Sequence, residues 1–138
     1  MDHAVNVDQL RAFPPLAEVS EAGLERVAAC AAELEAKKGQ VIAVPGDPGS
    51  GMFVIQDGTV TVELRSGRLE LGPGDFFGEL ALLVDDGTRI ARVRATTPVR
   101  CLSIPREDFL ALVETEPSFA LHMLRELARR LIEARAAT

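Results

Sequence analysis

The stretch that decides the fold is Gly74–Ala95, GDFFGELALLVDDGTRIARVRA, which sets a lone Glu79 ten residues before Arg89, each in an otherwise apolar segment. Read as a strand, Arg89–Ala95 alternates strictly, with Arg89, Ala91, Val93 and Ala95 on one face and Ile90, Arg92 and Arg94 on the other. Arg89 thus shares the face of the small apolar residues. A guanidinium keeps its proton, and burying it without an anionic partner is costly. Glu79 is one candidate partner and a bound anion is another.

The residues between the two charges bear on that choice. Gly78 has no side chain, so a ligand can approach its backbone closely, and Glu79-Leu80-Ala81-Leu82-Leu83 reads as one or two helical turns directly after it. The start of such a helix offers unpaired N–H groups and partial positive charge, which suit a phosphate. Arg89 could complete the site with a planar, two-pronged donor set. Glu79 would then be free to accept a hydroxyl hydrogen. A phosphate beside a vicinal hydroxyl describes a nucleotide sugar. A plain ion pair between helix and strand fits the same spacing, and the two charges alone do not separate these readings.

Outward from this stretch, Gln40 to Pro105 follows a period of two, with turn signals at Gly46-Asp47-Pro48-Gly49, Asp57-Gly58, Ser66-Gly67, Gly72-Pro73-Gly74, Asp86-Gly87 and Thr97-Pro98. In Thr59–Leu64 the apolar Val60, Val62 and Leu64 alternate with Thr59, Thr61 and Glu63, the pattern of a sheet with one dry face. Many short strands with glycine turns imply a small sandwich or barrel. Upstream, Ser20 reads as an N-cap, and Leu24, Val27, Ala28, Ala31 and Leu34 continue a helix as far as Lys37-Lys38-Gly39. Pro14 and Pro15 divide it from a short helical piece at Val7–Ala12. Downstream, Phe109, Leu110 and Val113 begin a helix that Pro117 interrupts, and Ser118 to about Ala136 forms a longer one with a seam of Ala120, Leu124, Leu127, Leu131 and Ala134. The expected layout is one domain over 1–138: a helical cap over 1–38, strands over 39–105, and hinge and final helices over 106–138.

Composition narrows the function classes. A chain of 138 residues, nearly half apolar, can bury a single core without staples. The net charge is -6, with 15 acids against 6 bases in residues 1–88 and 6 against 9 in residues 89–138. An anionic chain with six Phe and no Tyr or Trp is a poor nucleic-acid binder. Arg89, Arg92, Arg94 and Arg100 nevertheless leave room for a local anion site. Cys30 and Cys101 are distant, and the apolar neighbours of each predict two buried, reduced thiols. No basic leader precedes an apolar run, and no apolar stretch is long enough to span a membrane, so a cytoplasmic setting is expected. His3 and His122 form no metal-ligating pair, and no Ser or Cys stands with a recognisable base, so no enzyme activity is expected.

The full stretch is more specific than its two charges, because it resembles the phosphate-binding cassette of the cyclic nucleotide-binding domain family, whose members include cAMP-responsive regulators, kinase regulatory subunits and nucleotide-gated channels. The likeness lies in Phe77-Gly78-Glu79-Leu80-Ala81-Leu82 followed by Arg89 and Ala95. It extends to Gly39-Gln-Val-Ile, to Gly46-Asp-Pro-Gly with Met52-Phe-Val-Ile and Gly58, and to Leu71-Gly-Pro-Gly-Asp-Phe-Phe, covering roughly residues 13 to 132. The resemblance implies a mainly β protein: an antiparallel, jelly-roll-like β-roll of about eight strands with an N-terminal helical cap and two C-terminal helices, the cassette spanning 74–95 and the nucleotide inside the roll. Carried over, Glu79 binds the ribose 2′-hydroxyl, Arg89 binds the cyclic phosphate, Gly78 allows close approach, and backbone N–H groups near Leu80, Ala81, Ile90 and Ala91 add phosphate contacts. Ile90 stands where many cGMP-selective members place Thr or Ser, a departure that leans toward cAMP without excluding cGMP. The last helix matches the family's lid, with Leu127, Arg129, Arg130 and Leu131 as candidate contacts to the base and Pro117 as the hinge.

These expectations describe a cytoplasmic, non-catalytic sensor of a cyclic nucleotide that signals through its final helix to an unidentified protein or domain. Nucleic-acid binding is not expected, because no recognition helix follows residue 138. The same helix offers a homodimer contact. Two competing readings are a fold-only interaction or dimerisation module and a sensor of a different small anion.

Overall fold

Alternation in the sequence becomes two stacked layers in a computed structural model, which describes residues 5–43, 51–64, 67–78 and 91–136. Among the described residues, eight strands form two four-stranded sheets. One sheet orders β1 (Ala32–Ala36), β8 (Val99–Pro105), β3 (Gly51–Asp57) and β6 (Phe76–Phe77). The other orders β2 (Val41–Ala43), β7 (Arg92–Ala95), β4 (Val60–Leu64) and β5 (Gly67–Leu71). All the paired strands are antiparallel. At the β3–β4 turn Gly58 adopts φ +89°, and a Cβ there would lie 2.1 Å from the Pro98 carbonyl oxygen, so only glycine fits.

At its centre, in β3 and β8, the first sheet is buried on both faces. From β3, Met52 and Val54 point to the helices while Phe53 and Ile55 point into the roll; from β8, Leu102 and Ile104 face the helices and Val99 and Cys101 the roll. This explains why these strands read as nearly continuous apolar runs. The second sheet is dry on one side: Val60, Val62, Leu71, Val93 and Ala95 line the roll, and the alternate residues Glu63, Arg68 and Arg92 meet across the strands on the outer face. The expected faces of Thr59–Leu64 and of Ala91–Ala95 are both observed, whereas Arg89 and Ile90 lie outside the described residues.

Helices close the first sheet from outside. α1 (Val7–Arg11) is capped by Asn6, whose Oδ1 accepts from Gln9 N at 2.7 Å, and a 3-10 turn at Pro14–Leu16 leads to α2 (Glu21–Cys30). Ser20 caps α2 as expected, its Oγ accepting from Gly23 N at 3.1 Å. α2 stops at Cys30, however, and Ala32–Ala36 pairs with Val99–Ser103 as β1. The predicted extension of the helix to Lys37 is therefore wrong, and the roll begins at Ala32 rather than residue 39. Pairing with β8 and burial of Ala36 in the roll outweigh the helix propensity of Ala, Glu and Leu. Cys30, at the end of α2, is exposed rather than buried, while Cys101 is buried as expected.

After β8 come α3 (Arg106–Thr115) and α4 (Pro117–Ala136), with Pro117 at the first turn of α4, where its missing N–H is harmless. The Phe109 and Phe119 rings meet edge to face, 5.8 Å apart, and with Met123 they seat the start of α4 on the core of Leu10, Leu16 and Leu24. The buried face of α4 is thus Phe119 and Met123, not the predicted seam, of which Leu124 and Leu131 are exposed.

Glu116 is the single residue between α3 and α4, and it reaches back to α2. Its carboxylate accepts from Ser20 N at 3.0 Å and from Ser20 Oγ at 2.7 Å. A Cβ on Gly23 would stand 2.8 Å from Glu116 Oε2, so glycine at this position makes room for the carboxylate. The hydrogen bond from the Ser20 backbone, and then that from its hydroxyl, hold the Glu116 carboxyl below its ordinary value.

Candidate functional site

β6 has two residues, and they serve opposite sides of the first sheet. Phe76 belongs to the core under the helices; Phe77 points into the roll, where its ring stacks on Phe53 at 5.0 Å and 20°. Gly78 follows with φ +91°, a conformation that side chains rarely adopt, so the chain turns sharply at the expected start of the ligand loop. Turn chemistry upstream fixes β6: Gly72 N donates to Asp75 Oδ2 at 2.9 Å, and Gly74 N and Asp75 O both pair with Ile55 of β3. Across the roll, Ala91 is half-buried against the interior cluster that contains Val93 and Ala95.

Of the predicted ligand contacts in the cassette, Gly78 and Ala91 are described; Gly78 is half-buried directly after β6, and Ala91 packs on the roll interior. Glu79, Leu80, Ala81, Arg89 and Ile90 lie outside the described residues. The predicted lid residues sit in distinct environments on α4. Leu127 is half-buried and Leu131 is 61% exposed. Arg129 points outward and pairs with Glu126 and Glu133. Arg130 is turned inward, its Cζ 4.4 Å from the centre of the Phe76 ring, its Nη2 donating to Phe76 O at 2.8 Å and its Nε to Glu126 Oε2 at 3.0 Å. Partial burial opposes ionisation of Glu126, but hydrogen bonds from Arg129 and Arg130 outweigh it and hold the carboxyl below its ordinary value.

Sequence reasoning singled out Arg130 without its partner and missed Glu116 altogether. Neither contact leaves a local signal, because Phe76 is 54 residues from Arg130 and Ser20 is 96 from Glu116. An open cleft of about 230 Å³ between α2 and α3 has its polar groups engaged, in the Glu116–Ser20 bonds and in a 3.7 Å Arg26–Asp108 pair. Among the described residues there is no cluster of three potential metal ligands, and no helix long and apolar enough to cross a membrane.

Comparison with known proteins gives this geometry its context. The cyclic nucleotide-binding domain profile matches residues 33–116. The chain is 38% identical over 103 residues to the cyclic AMP receptor protein of Thermus thermophilus, covering 70% of this chain and 47% of that protein. It is 45% identical over 104 residues to glutaminase 2 of Bradyrhizobium diazoefficiens, covering 71% of this chain and 16% of that protein. The chain therefore spans at most about half the length of these relatives. The crystal structure of the Thermus thermophilus catabolite activator protein superposes with a TM-score of 0.70 at 30% identity, covering 90% of this chain and 61% of that one. A β-roll of eight described antiparallel strands flanked by helices, a tight glycine turn after Phe77 and a profile match over most of the roll establish that the chain belongs to the cyclic nucleotide-binding domain family.

Proposed function

We propose that the domain senses a cyclic nucleotide, cAMP in preference to cGMP, inside the roll, and passes occupancy through α4 to a partner protein or domain. The observation that carries this reading is the turn at Gly78, which follows a β6 anchored on both faces, together with the alternation by which Ala91, just before β7, and Val93 and Ala95 of β7 pack on the roll interior. That alternation supports an inward Arg89, which would bind the cyclic phosphate while Glu79 takes the ribose 2′-hydroxyl. Backbone N–H groups at Leu80, Ala81, Ile90 and Ala91 would complete the phosphate contacts. Ile90 gives guanine no hydroxyl partner, and the Thermus relative is named a receptor of cyclic AMP. Leu127, between the buried and exposed faces of α4, is the best lid candidate for the base. The role is regulatory rather than catalytic, exercised in the cytoplasm and without nucleic acid.

Calorimetric titration with cAMP and cGMP tests this. Binding of cAMP is expected, lost to a greater degree in Arg89→Ala than in Glu79→Ala, because the first removes a charge-assisted phosphate contact. No heat and no rise in melting temperature with cAMP at millimolar excess would end the reading.

A specific feature of α4 favours a second copy of the chain as a partner. Leu121, Leu124, Ala128 and Leu131 recur at three- and four-residue spacing on the face turned away from the core, and the three leucines are 45%, 65% and 61% exposed. In a parallel two-stranded pairing, Leu127 of one helix meets Ile132 of the other, whereas an antiparallel pairing brings Arg125 toward its own copy.

A further inference from the structure

We infer that Arg130 is the positioning residue through which α4 and the nucleotide loop sense each other, acting on Phe76 and, through it, on the turn at Gly78. The inference rests on the cyclic-nucleotide reading above and assigns its transmission to one side chain.

The edge position of β6 makes the contact specific. Among the described residues β6 is at the end of its sheet with β3 as its one neighbour, and Asp75 O accepts from Ile55 N of β3 at 2.9 Å. Successive carbonyls of a strand point to opposite sides, so Phe76 O points away from β3 and is available to α4. Arg130 Nη2 takes that oxygen at 2.8 Å, and the same guanidinium covers the Phe76 ring. Glu126, one turn earlier on α4, holds the guanidinium through Nε. The Arg130 and Glu126 side chains are 12% and 16% exposed, against 55% for the neighbouring Arg129, so the assembly is built into the interface.

Position along α4 gives the contact its leverage. Phe119 and Met123 seat the first half of the helix in the apolar core, whereas the second half carries the exposed Leu131 and Ile132. Arg130 lies in that second half and docks it on β6, two residues from Gly78. Because Phe77, the next residue, stacks inside the roll, a shift of β6 produced by a ligand at the Gly78 turn moves the Phe76 carbonyl and ring that Arg130 grips. A helix held this way can follow the loop.

The test compares wild type, Arg130→Met, Glu126→Gln and Arg129→Met by cAMP calorimetry and by hydrogen–deuterium exchange of residues 117–136 with and without cAMP, each variant first being checked for a cooperative melt. In wild type and Arg129→Met, cAMP is expected to change exchange along α4. In Arg130→Met the affinity falls by no more than about tenfold, but the nucleotide-induced change in α4 is lost; Glu126→Gln loses it in part. A merely structural anchor raises exchange in both states and leaves the nucleotide-induced difference intact. That result in Arg130→Met overturns the inference, and should Arg130→Met fail to melt cooperatively, an undiminished difference in Glu126→Gln overturns it equally. Failure of wild type to bind cAMP is a separate outcome, and it removes the cyclic-nucleotide reading together with this one.

Discussion

Replacing Glu116 tests whether the junction of α3 and α4 is fastened to the N-terminal cap. Glu116→Ala removes the acceptor of two hydrogen bonds, from Ser20 N at 3.0 Å and from Ser20 Oγ at 2.7 Å, and withdraws a negative charge from the N-terminus of α2. Hydrogen bonds to charged groups contribute about 1.5–3 kcal/mol each in sheltered sites. Ser20 is exposed and water can replace the lost acceptor, so the discounted total is about 1–2 kcal/mol. For a domain of this size that corresponds to a fall in Tm of roughly 3–8 °C. Glu116→Gln keeps one acceptor and loses the charge, so it should fall between the two. The effect also has a defined pH dependence. The carboxyl is held below its ordinary 4.5 in the folded chain, so its stabilisation is complete above that value and is lost as pH falls through the folded one. Urea unfolding at pH 7 should therefore separate wild type from Glu116→Ala, and the gap should shrink as the pH is taken below 4.5. Equal midpoints at pH 7, or a gap that stays constant into acid, would refute the reasoning.

Two further outcomes are expected. Leu124→Glu should shift the chain toward monomer in sedimentation velocity while leaving its melting temperature nearly unchanged, because Leu124 is 65% exposed and makes no core contribution; a wild-type monomer at high concentration would dismiss the parallel pairing. Burial pushes the Cys101 thiol up to about 12, so a thiol reagent at pH 8 should label Cys30 in the folded chain and reach Cys101 after unfolding; rapid labelling of both would contradict the buried position of Cys101 on β8.

What the sequence disclosed depended on whether a pattern was local. Val60, Val62 and Leu64 alternate with polar residues because the second sheet has one wet face, and that strand could be read directly. Ala32–Ala36 could not, since Ala28, Ala31 and Leu34 keep a helical spacing and only pairing with β8 shows the segment to be a strand. Gly78 stood out in the sequence for the close approach its missing side chain allows, but the positive φ it adopts there appears only in the folded chain. On α4 the apolar residues lie on both faces, so spacing alone chose a seam that mixes half-buried Ala120 and Leu127 with exposed Leu124 and Leu131. The grip of Arg130 on Phe76 and of Glu116 on Ser20 joins distant segments and appears once the chain is folded.

The sheet formed by β1, β8, β3 and β6 is a partition one peptide thick, with the apolar interior of the roll on one side and the helical layer on the other. Neighbouring residues such as Ile55 and Val54, or Phe77 and Phe76, therefore press on different compartments while sharing one backbone. A bulkier side chain at Ile55 or Phe77 would therefore strain the helical layer through that shared backbone without touching it.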